Sequence, residues 1–378
     1  MSLQRVGTLI RLELTQRIRS VSWYVLLGVF FVLLMIVTAL AFAVFPSSPQ
    51  NSFGQPTGTG VYSIVVFFVL LLAVLVSPTL SGNAINGDRD AATLAPVQVT
   101  LATTGEILLG KFLAAWITGL AFIAVAIPFL LVAMAAGGVP PATLLVSLLI
   151  LIIEIGVVAG IGVGLSGILA RPLFSVAVTY LVVSALVVGT LIAFGLGGAA
   201  VTSETVHHYR SLEYDQSQEL PQVPSECMTA APGQTEPLPQ CTIAPIEPEY
   251  TCGPWQTSTS SVPRFDRVWW ILAANPFVVL ADATPTTFRD GYPVDLFGQL
   301  KSGIRYAQQP PALESTWDDC DRDVTPNSPT AEEIIESSTP SWFVGLAIQL
   351  ALAAGLLWWG WARTRTPARR LPPGTRIA

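Results

Sequence analysis

The chain has 378 residues, 52% hydrophobic and only 12% charged, and its mean hydropathy is positive. A soluble domain carries about 25% charged residues, so a water-soluble globule is excluded. The net charge of −6 averages a basic set of short segments with one acidic segment. It therefore says nothing about nucleic acid, which is not an expected partner.

Taken in order, residues 1–21 place Leu3, Val6, Ile10, Leu14, Ile18 and Val21 at spacings of three and four. That puts them on one helical face, with Arg5, Arg11, Glu13, Gln16 and Arg19 mostly elsewhere. A basic amphipathic helix ahead of an apolar run is expected to lie in the membrane interface. A signal peptide is the rival reading, but signal h-regions are about 7 to 15 residues and the apolar run that follows is longer. It is read as an anchor.

Six runs almost free of charge follow, at 22–45, 60–80, 112–136, 142–170, 173–196 and 341–362. Each has the roughly 20 residues that a helix needs to span a bilayer. Lys and Arg resist translocation. Arg5, Arg11, Arg17 and Arg19 precede the first run, Arg89 and Lys111 separate the second from the third, and Arg171 separates the fourth from the fifth. Arg363, Arg365, Arg369, Arg370 and Arg376 follow the last, whereas 46–59 and 137–141 carry no Lys or Arg. The expected topology has both termini inside, with 363–378 a basic cytoplasmic tail.

Between the second and third runs, 81–111 is polar and forms a candidate cytoplasmic contact loop. Two motif matches fail on context. Gly162-Val-Gly164-Leu-Ser-Gly167 fits a dinucleotide fingerprint but lies inside a span and follows no strand, so with Gly160 it is read as small residues that let helices approach closely. Gly105-Glu-Ile-Leu-Leu-Gly110-Lys111-Phe112 resembles a phosphate loop but has Phe where Ser or Thr must hold magnesium. Glu154, deep in the fourth run, is expensive there and marks a candidate translocation-path residue. A protonated carboxyl bonding between helices is the alternative. Pro128 is expected to kink the third run.

The connection 201–340 is expected on the outside, as one irregular lobe. From residue 197 to 340 there are 20 Asp and Glu against 7 Lys and Arg. All four cysteines, Cys227, Cys241, Cys252 and Cys320, fall here, an even count suited to two disulfides on an oxidising side. Cys227 with Cys241 and Cys252 with Cys320 is the expected pairing of three possible. A metal site with His207 and His208 lacks the spacing of known ligand sets. Residues 218–263 are rich in Pro, Gln, Ser and Thr and read as loop. Residues 268–281 are apolar but too short to span and are interrupted by Pro276. They are a re-entrant or interfacial segment, or else the lobe's core. Asp318, Asp319, Asp321 and Asp323 lack the glycine and closing Glu of a calcium loop and read as solvated. No catalytic set emerges.

Asp88-Arg89-Asp90, Thr93-Leu94, Thr100 and Gly105-Glu106-Ile107-Leu108-Leu109-Gly110-Lys111 resemble the first cytoplasmic loop of ABC-2 type transporter permeases. Ala92 stands where that family has Gly, and Leu101 where it has Pro. The six-run layout, Leu12-Glu13-Leu14, Ala170-Arg171-Pro172 and Asn275-Pro276-Phe277 resemble it as well. The fold implied is an all-α polytopic membrane protein with a large insertion between helices five and six. The function implied is that of the membrane subunit of an ATP-driven exporter in a bacterial plasma membrane, itself not an enzyme. ATP and magnesium would belong to a separate cytosolic ABC ATPase, and the chain would pair with a second copy or a similar permease among membrane lipid. By the same resemblance Asp88, Arg89, Asp90, Thr93, Leu94, Glu106, Lys111 and Arg171 would couple to the ATPase, and Trp269, Trp270, Asn275 and Phe277 would gate the outer mouth. A membrane-anchored envelope-binding protein and a secondary transporter are the alternatives.

Overall fold

Inside a bilayer no water is available to backbone N–H and C=O groups, so an apolar run must close its hydrogen bonds within a helix. The computed structural model of the chain describes residues 2–45, 57–90, 103–214, 250–321 and 329–364. Helix α1 covers Leu3–Ile18, α2 Val21–Val44, α3 Thr57–Ser81, α4 Asn86–Asp90, α5 Thr104–Ala135 and α6 Pro141–Ile168. Helix α7 spans Pro172–Ala200 with a π-helical turn at Ala185–Gly189. Then come α8 (Trp269–Ala273), α9 (Pro276–Ala283), α10 (Leu296–Tyr306), α11 (Ala331–Ser337) and α12 (Ser341–Thr364). Helices α2, α3, α5, α6, α7 and α12 are each long and apolar enough to cross a membrane, as the six apolar runs require.

Local chemistry sets the ends. Thr103 and Glu106 form a reciprocal capping box, which satisfies exposed amides and starts α5 at Thr104, well ahead of the expected 112. The supposed loop 81–111 is therefore shorter than its sequence suggested, because Gly105 to Lys111 are already helical. Residues 91–102, with Thr93 and Leu94, lie outside the described residues. Gly137 and Gly138 turn the chain between α5 and α6 at φ +96° and +84°, a region open to glycine. Pro141, Pro172 and Pro276 each open a helix, where their missing N–H costs nothing.

By compactness the chain divides into two units, Met1–Ala200 with Phe265–Pro310 and Pro329–Ala378, and Val201–Arg264 with Pro311–Ser328. The single lobe expected over 201–340 is thus split, since 265–310 belong with the spanning helices. In that first unit α3 and α6 are the most enclosed helices and α2 and α7 the least. Its core joins Leu34 of α2, Leu70 of α3, Phe122 of α5, Leu151 of α6, Leu280 of α9 and Phe297 of α10. Gly160, Gly164 and Gly167 of α6 face α12, and a Cβ on Gly164 would stand 2.7 Å from the Leu356 carbonyl carbon. The fingerprint-like glycines thus serve close helix packing.

The second unit corrects the expectation of an all-α chain with an irregular insertion. It contains a three-stranded sheet in the order β4-β1-β7, made of β1 (Thr202–Arg210), β4 (Gln256–Pro263) and β7 (Glu314–Asp318). Two short strands, β2 (Leu212–Tyr214) and β3 (Tyr250–Cys252), also pair, and in the first unit β5 (Phe288–Arg289) pairs with β6 (Tyr292–Pro293). Strand β1 runs antiparallel to β4 with His207 opposite Ser258, and parallel to β7 with His207 opposite Ser315. Residues on both sides of these strands are polar, so the apolar/polar alternation that marks a strand is missing and Ser/Thr-rich β4 reads as loop. Cys252 and Cys320 are bonded, with Cα atoms 6.0 Å apart. Cys227 and Cys241 lie outside the described residues. His207 bonds the hydroxyls of Ser315, Thr205 and Ser260, and His208 that of Thr257. Asp318 is not merely solvated: it takes a two-pronged ion pair from Arg210 and the N–H of Cys320 at 3.0 Å. These bonds, Arg210 first, hold its carboxyl below the usual aspartate range.

Two outcomes follow from this packing. Gly164→Val should destabilise the detergent-solubilised chain by about 1–3 kcal/mol through overpacking, read as a fall in thermal unfolding temperature. Asp318 is depressed in the folded chain, so its contribution is present above the unfolded aspartate pKa and is lost as pH falls through the folded one. The Cys252–Cys320 bond should therefore grow more accessible to a phosphine reductant below about pH 4. In Asp318→Asn it should be accessible already at neutral pH.

Candidate functional site

At one end of the bundle the starts of α2 and α5 meet the ends of α3, α6 and α12, and polar groups collect there. Lys111, in the second turn of α5, is only 6% exposed. Its ammonium meets Glu13 of α1 at 2.5 Å and Asp88 of α4 at 2.6 Å. A buried cation must be paired to be tolerated, so this one lysine ties the first helix and the connection after α3 to the same spanning helix. Glu106, one turn before, is wholly enclosed. It accepts the N–H groups of Ser2 at 2.5 Å and Thr103 at 2.8 Å and faces Arg5 at 3.8 Å. Arg17 donates to the Leu80 carbonyl at 2.9 Å.

The less exposed face of α1 runs through Val6, Leu9, Ile10, Glu13, Leu14 and Arg17, while Leu3 and Ile18 are exposed. Val6, Ile10 and Leu14 of the expected stripe lie on it, and Glu13 and Arg17 join them because they have partners inside. The connection itself is braced from α6: the Ser166 hydroxyl accepts the N–H groups of Ile85 and Asn86 at 2.9 and 3.1 Å. Of the residues read as a partner-binding set, Glu106 and Lys111 are thus consumed internally and Asp88 turns to Lys111. Arg89, Asp90 and Arg171 are exposed. Arg11, Arg19 and Arg363 are exposed at the same end.

The expected gate residues sit on the broken helix pair α8–α9. Asn275, at the break, caps α9 by accepting the Phe277 N–H at 2.9 Å. Its amide donates to the Val187 carbonyl at 2.7 Å and the Thr190 hydroxyl at 3.0 Å, both at the π-helical turn of α7. Phe277 is partly buried against Phe67 of α3, ring centroids 6.1 Å apart. Trp269 packs with Leu272 and Val278, and Trp270 is half exposed. The segment 268–281 is thus packed on spanning helices. It is not the core of the other unit.

Glu154 of α6 is 0% exposed, so its own chain covers it completely. Gln349 of α12 approaches it, but no bond of normal geometry closes between them. The Gln349 amide is given instead to the Ala274 carbonyl at 3.0 Å.

Sequence reasoning missed a third cluster. Asp282, at the end of α9, takes both prongs of Arg305 of α10 at 2.7 and 3.1 Å. It also accepts the Ser341 hydroxyl at 2.8 Å and the Trp342 N–H at 3.0 Å, capping the start of α12. Lys301, one turn before Arg305, donates to the Thr284 carbonyl at 2.8 Å. Burial pushes its ammonium pKa down, against the pull of Asp282. Charge alone could not have marked them, since Arg289, Asp290 and Asp295 stand in the same segment.

These features define a multi-pass integral membrane protein with a braced polar end and a broken helix pair. No protein-family model matches the chain, and no curated protein sequence matches it significantly.

Lys111→Ala would leave Glu13 and Asp88 facing each other without their cation. It should cost about 1–3 kcal/mol, since both carboxylates keep some solvent. Proteolysis within α1 should accelerate as well, whereas Arg89→Ala at an exposed position should change stability by less than about 0.5 kcal/mol.

Proposed function

We propose that the chain is the membrane-spanning permease subunit of an ABC-2 type exporter, working with a separate cytosolic ATPase. The observation that carries the reading is the α3–α5 connection. A short polar helix, α4, is held against the bundle at two points, by Ser166 of α6 at Asn86 and by Lys111 of α5 at Asp88, and carries Arg89 and Asp90 outward. A loop that only rested among headgroups would gain nothing from such bracing. A loop that must transmit force to spanning helices requires it.

In this reading the ATPase would supply the groove in which α4 seats, together with the ATP and magnesium, and Arg171 at the start of α7 would flank it. Closure of the ATPases on nucleotide would displace α4 as a rigid piece. The displacement would reach α6 through Ser166 and α5 with α1 through Lys111. On the far part of the same unit, Asn275 and Gln349 tie the broken pair α8–α9 to α7 and α12, so movement of those helices would be felt at the break, consistent with a gate there. The apolar outer face of α7, with Leu181, Val188, Leu191 and Leu196 exposed, would face lipid or a second permease copy.

The test is to co-express the tagged chain with its genomic neighbours and purify it in mild detergent. A P-loop ATPase should co-elute in stoichiometric amount, and the pair Arg89→Glu with Asp90→Lys should release it while the chain stays folded. A chain that elutes alone and stable overturns the reading.

A further inference from the structure

At about 1.5 Å per residue, Glu154 stands about 20 Å from either end of α6, and it is 0% exposed. Neither of its carboxyl oxygens meets a hydrogen-bond donor among the described residues. The register of α6 on α12 sets what lies beside it. Gly160 meets Ala353, Gly164 meets Leu356 and Gly167 meets Gly360, so stepping back along both helices brings Gln349 within a turn of Glu154, where it approaches the carboxyl. Gln349 is equally enclosed, and its Oε1 also has no partner. Its amide N–H goes to the Ala274 carbonyl, at the α8–α9 break.

No cation answers this carboxyl. Helices α3, α5, α7, α9 and α12 pack on α6, and their titratable groups are engaged elsewhere or lie at the ends. Tyr62 of α3 bonds Ser147 at 2.6 Å, Tyr180 of α7 donates to the Leu75 carbonyl at 2.7 Å, and Asp282 of α9 is paired with Arg305. Glu106 and Lys111 of α5 are paired at the braced end with Arg5, Glu13 and Asp88, where Arg363 of α12 is exposed. An unpaired carboxylate here would carry a large desolvation cost. A proton removes it, because a carboxylic acid has an O–H to donate and Gln349 Oε1 is the open acceptor beside it. Calcium or magnesium would ask for about six oxygens, which three side-chain oxygens do not supply.

We infer that Glu154 is a proton-binding site whose proton controls the α8–α9 break through Gln349. With the proton bound, the acid donates to Gln349 Oε1 and leaves the Gln349 N–H on the Ala274 carbonyl. With the proton passed to water, the carboxylate becomes the stronger acceptor and draws that N–H away from Ala274. Gly345, one turn before Gln349, lets α12 approach the Ala273 carbonyl, so the exchange takes place where α12 already touches the break. The site does not depend on the chain being an exporter.

The experiment combines infrared difference spectroscopy of the full chain in mild detergent, in light and heavy water, with hydrogen exchange over 268–283. Both are followed across the pH range in which the chain stays folded. The wild-type chain should show a carboxylic-acid carbonyl band that shifts in heavy water and is missing from Glu154→Gln. As pH rises the band should give way to carboxylate. At the same pH, exchange at 268–283 should accelerate about fivefold beyond its intrinsic pH dependence, the effect of one lost hydrogen bond. Glu154→Gln should keep the slow rate throughout. Gln349→Met should shift the acid band by freeing its O–H and should lose the coupling, which keeps the test decisive if Glu154→Gln does not fold. Absence of the band from the wild-type chain would overturn the proposal, as would one exchange profile shared by the wild-type chain and either variant. Loss of the band on adding sodium at constant pH would give the site to a metal cation and overturn it as well.

Discussion

The contact between α6 and α12 is the constraint on which the spanning unit depends. In a membrane, lipid tails compete for apolar side chains as well as protein does, so helices are held by close approach and by polar bonds. Gly160, Gly164 and Gly167 fall at spacings of four and three on one face of α6, and opposite them stand Ala353, the Leu356–Leu357 backbone and Gly360. Once α12 is seated there, its start is delivered to Asp282, its middle to Glu154 and the Ala274 carbonyl, and its end to the first turns of α5. Gly345 continues the theme, since a Cβ there would collide with the Ala273 carbonyl. A helix separated from α6 by a long insertion is thereby fixed along its whole length.

The charged residues of this unit act chiefly as fasteners for parts that do not span. Lys111 secures α1 and α4, and Arg305 with Asp282 secures α10 to α9 and α12. Each is buried and paired, an arrangement that punishes loss of one partner far more than loss of both. The charges that stay outward at the braced end, Arg11, Arg19, Arg89, Asp90, Arg171 and Arg363, are exposed, in contrast to the buried and paired Glu106 and Lys111.

The six spanning helices were legible because length and apolar composition determine them almost alone. Close packing of the Gly160–Gly167 stretch was legible for the same reason, small residues in a row having few other uses in a span. The roles of Glu106 and Lys111 were not. Whether a charge at the start of a helix faces solvent or a neighbour depends on α1, which is remote in sequence. The sheet of the second unit escaped because its strands are polar on both sides, and periodicity is the only strand signal that a short segment carries. The Cys252–Cys320 bond was expected from compartment and count, whereas its place beside the Arg210–Asp318 pair required the register of β1 on β7.

The π-helical turn at Ala185–Gly189 holds one residue more than an α-helical turn would. Around a helix axis one residue is worth about 100°, so the turn works as a fixed rotation set into α7. Everything after it, to Ala200, presents a face that an uninterrupted helix would have pointed elsewhere, and Asn275 bonds both Val187 within the turn and Thr190 just past it. The two halves of this helix can therefore differ in what they touch while sharing one axis. Absorbing or releasing that single residue would re-aim the second half without bending it.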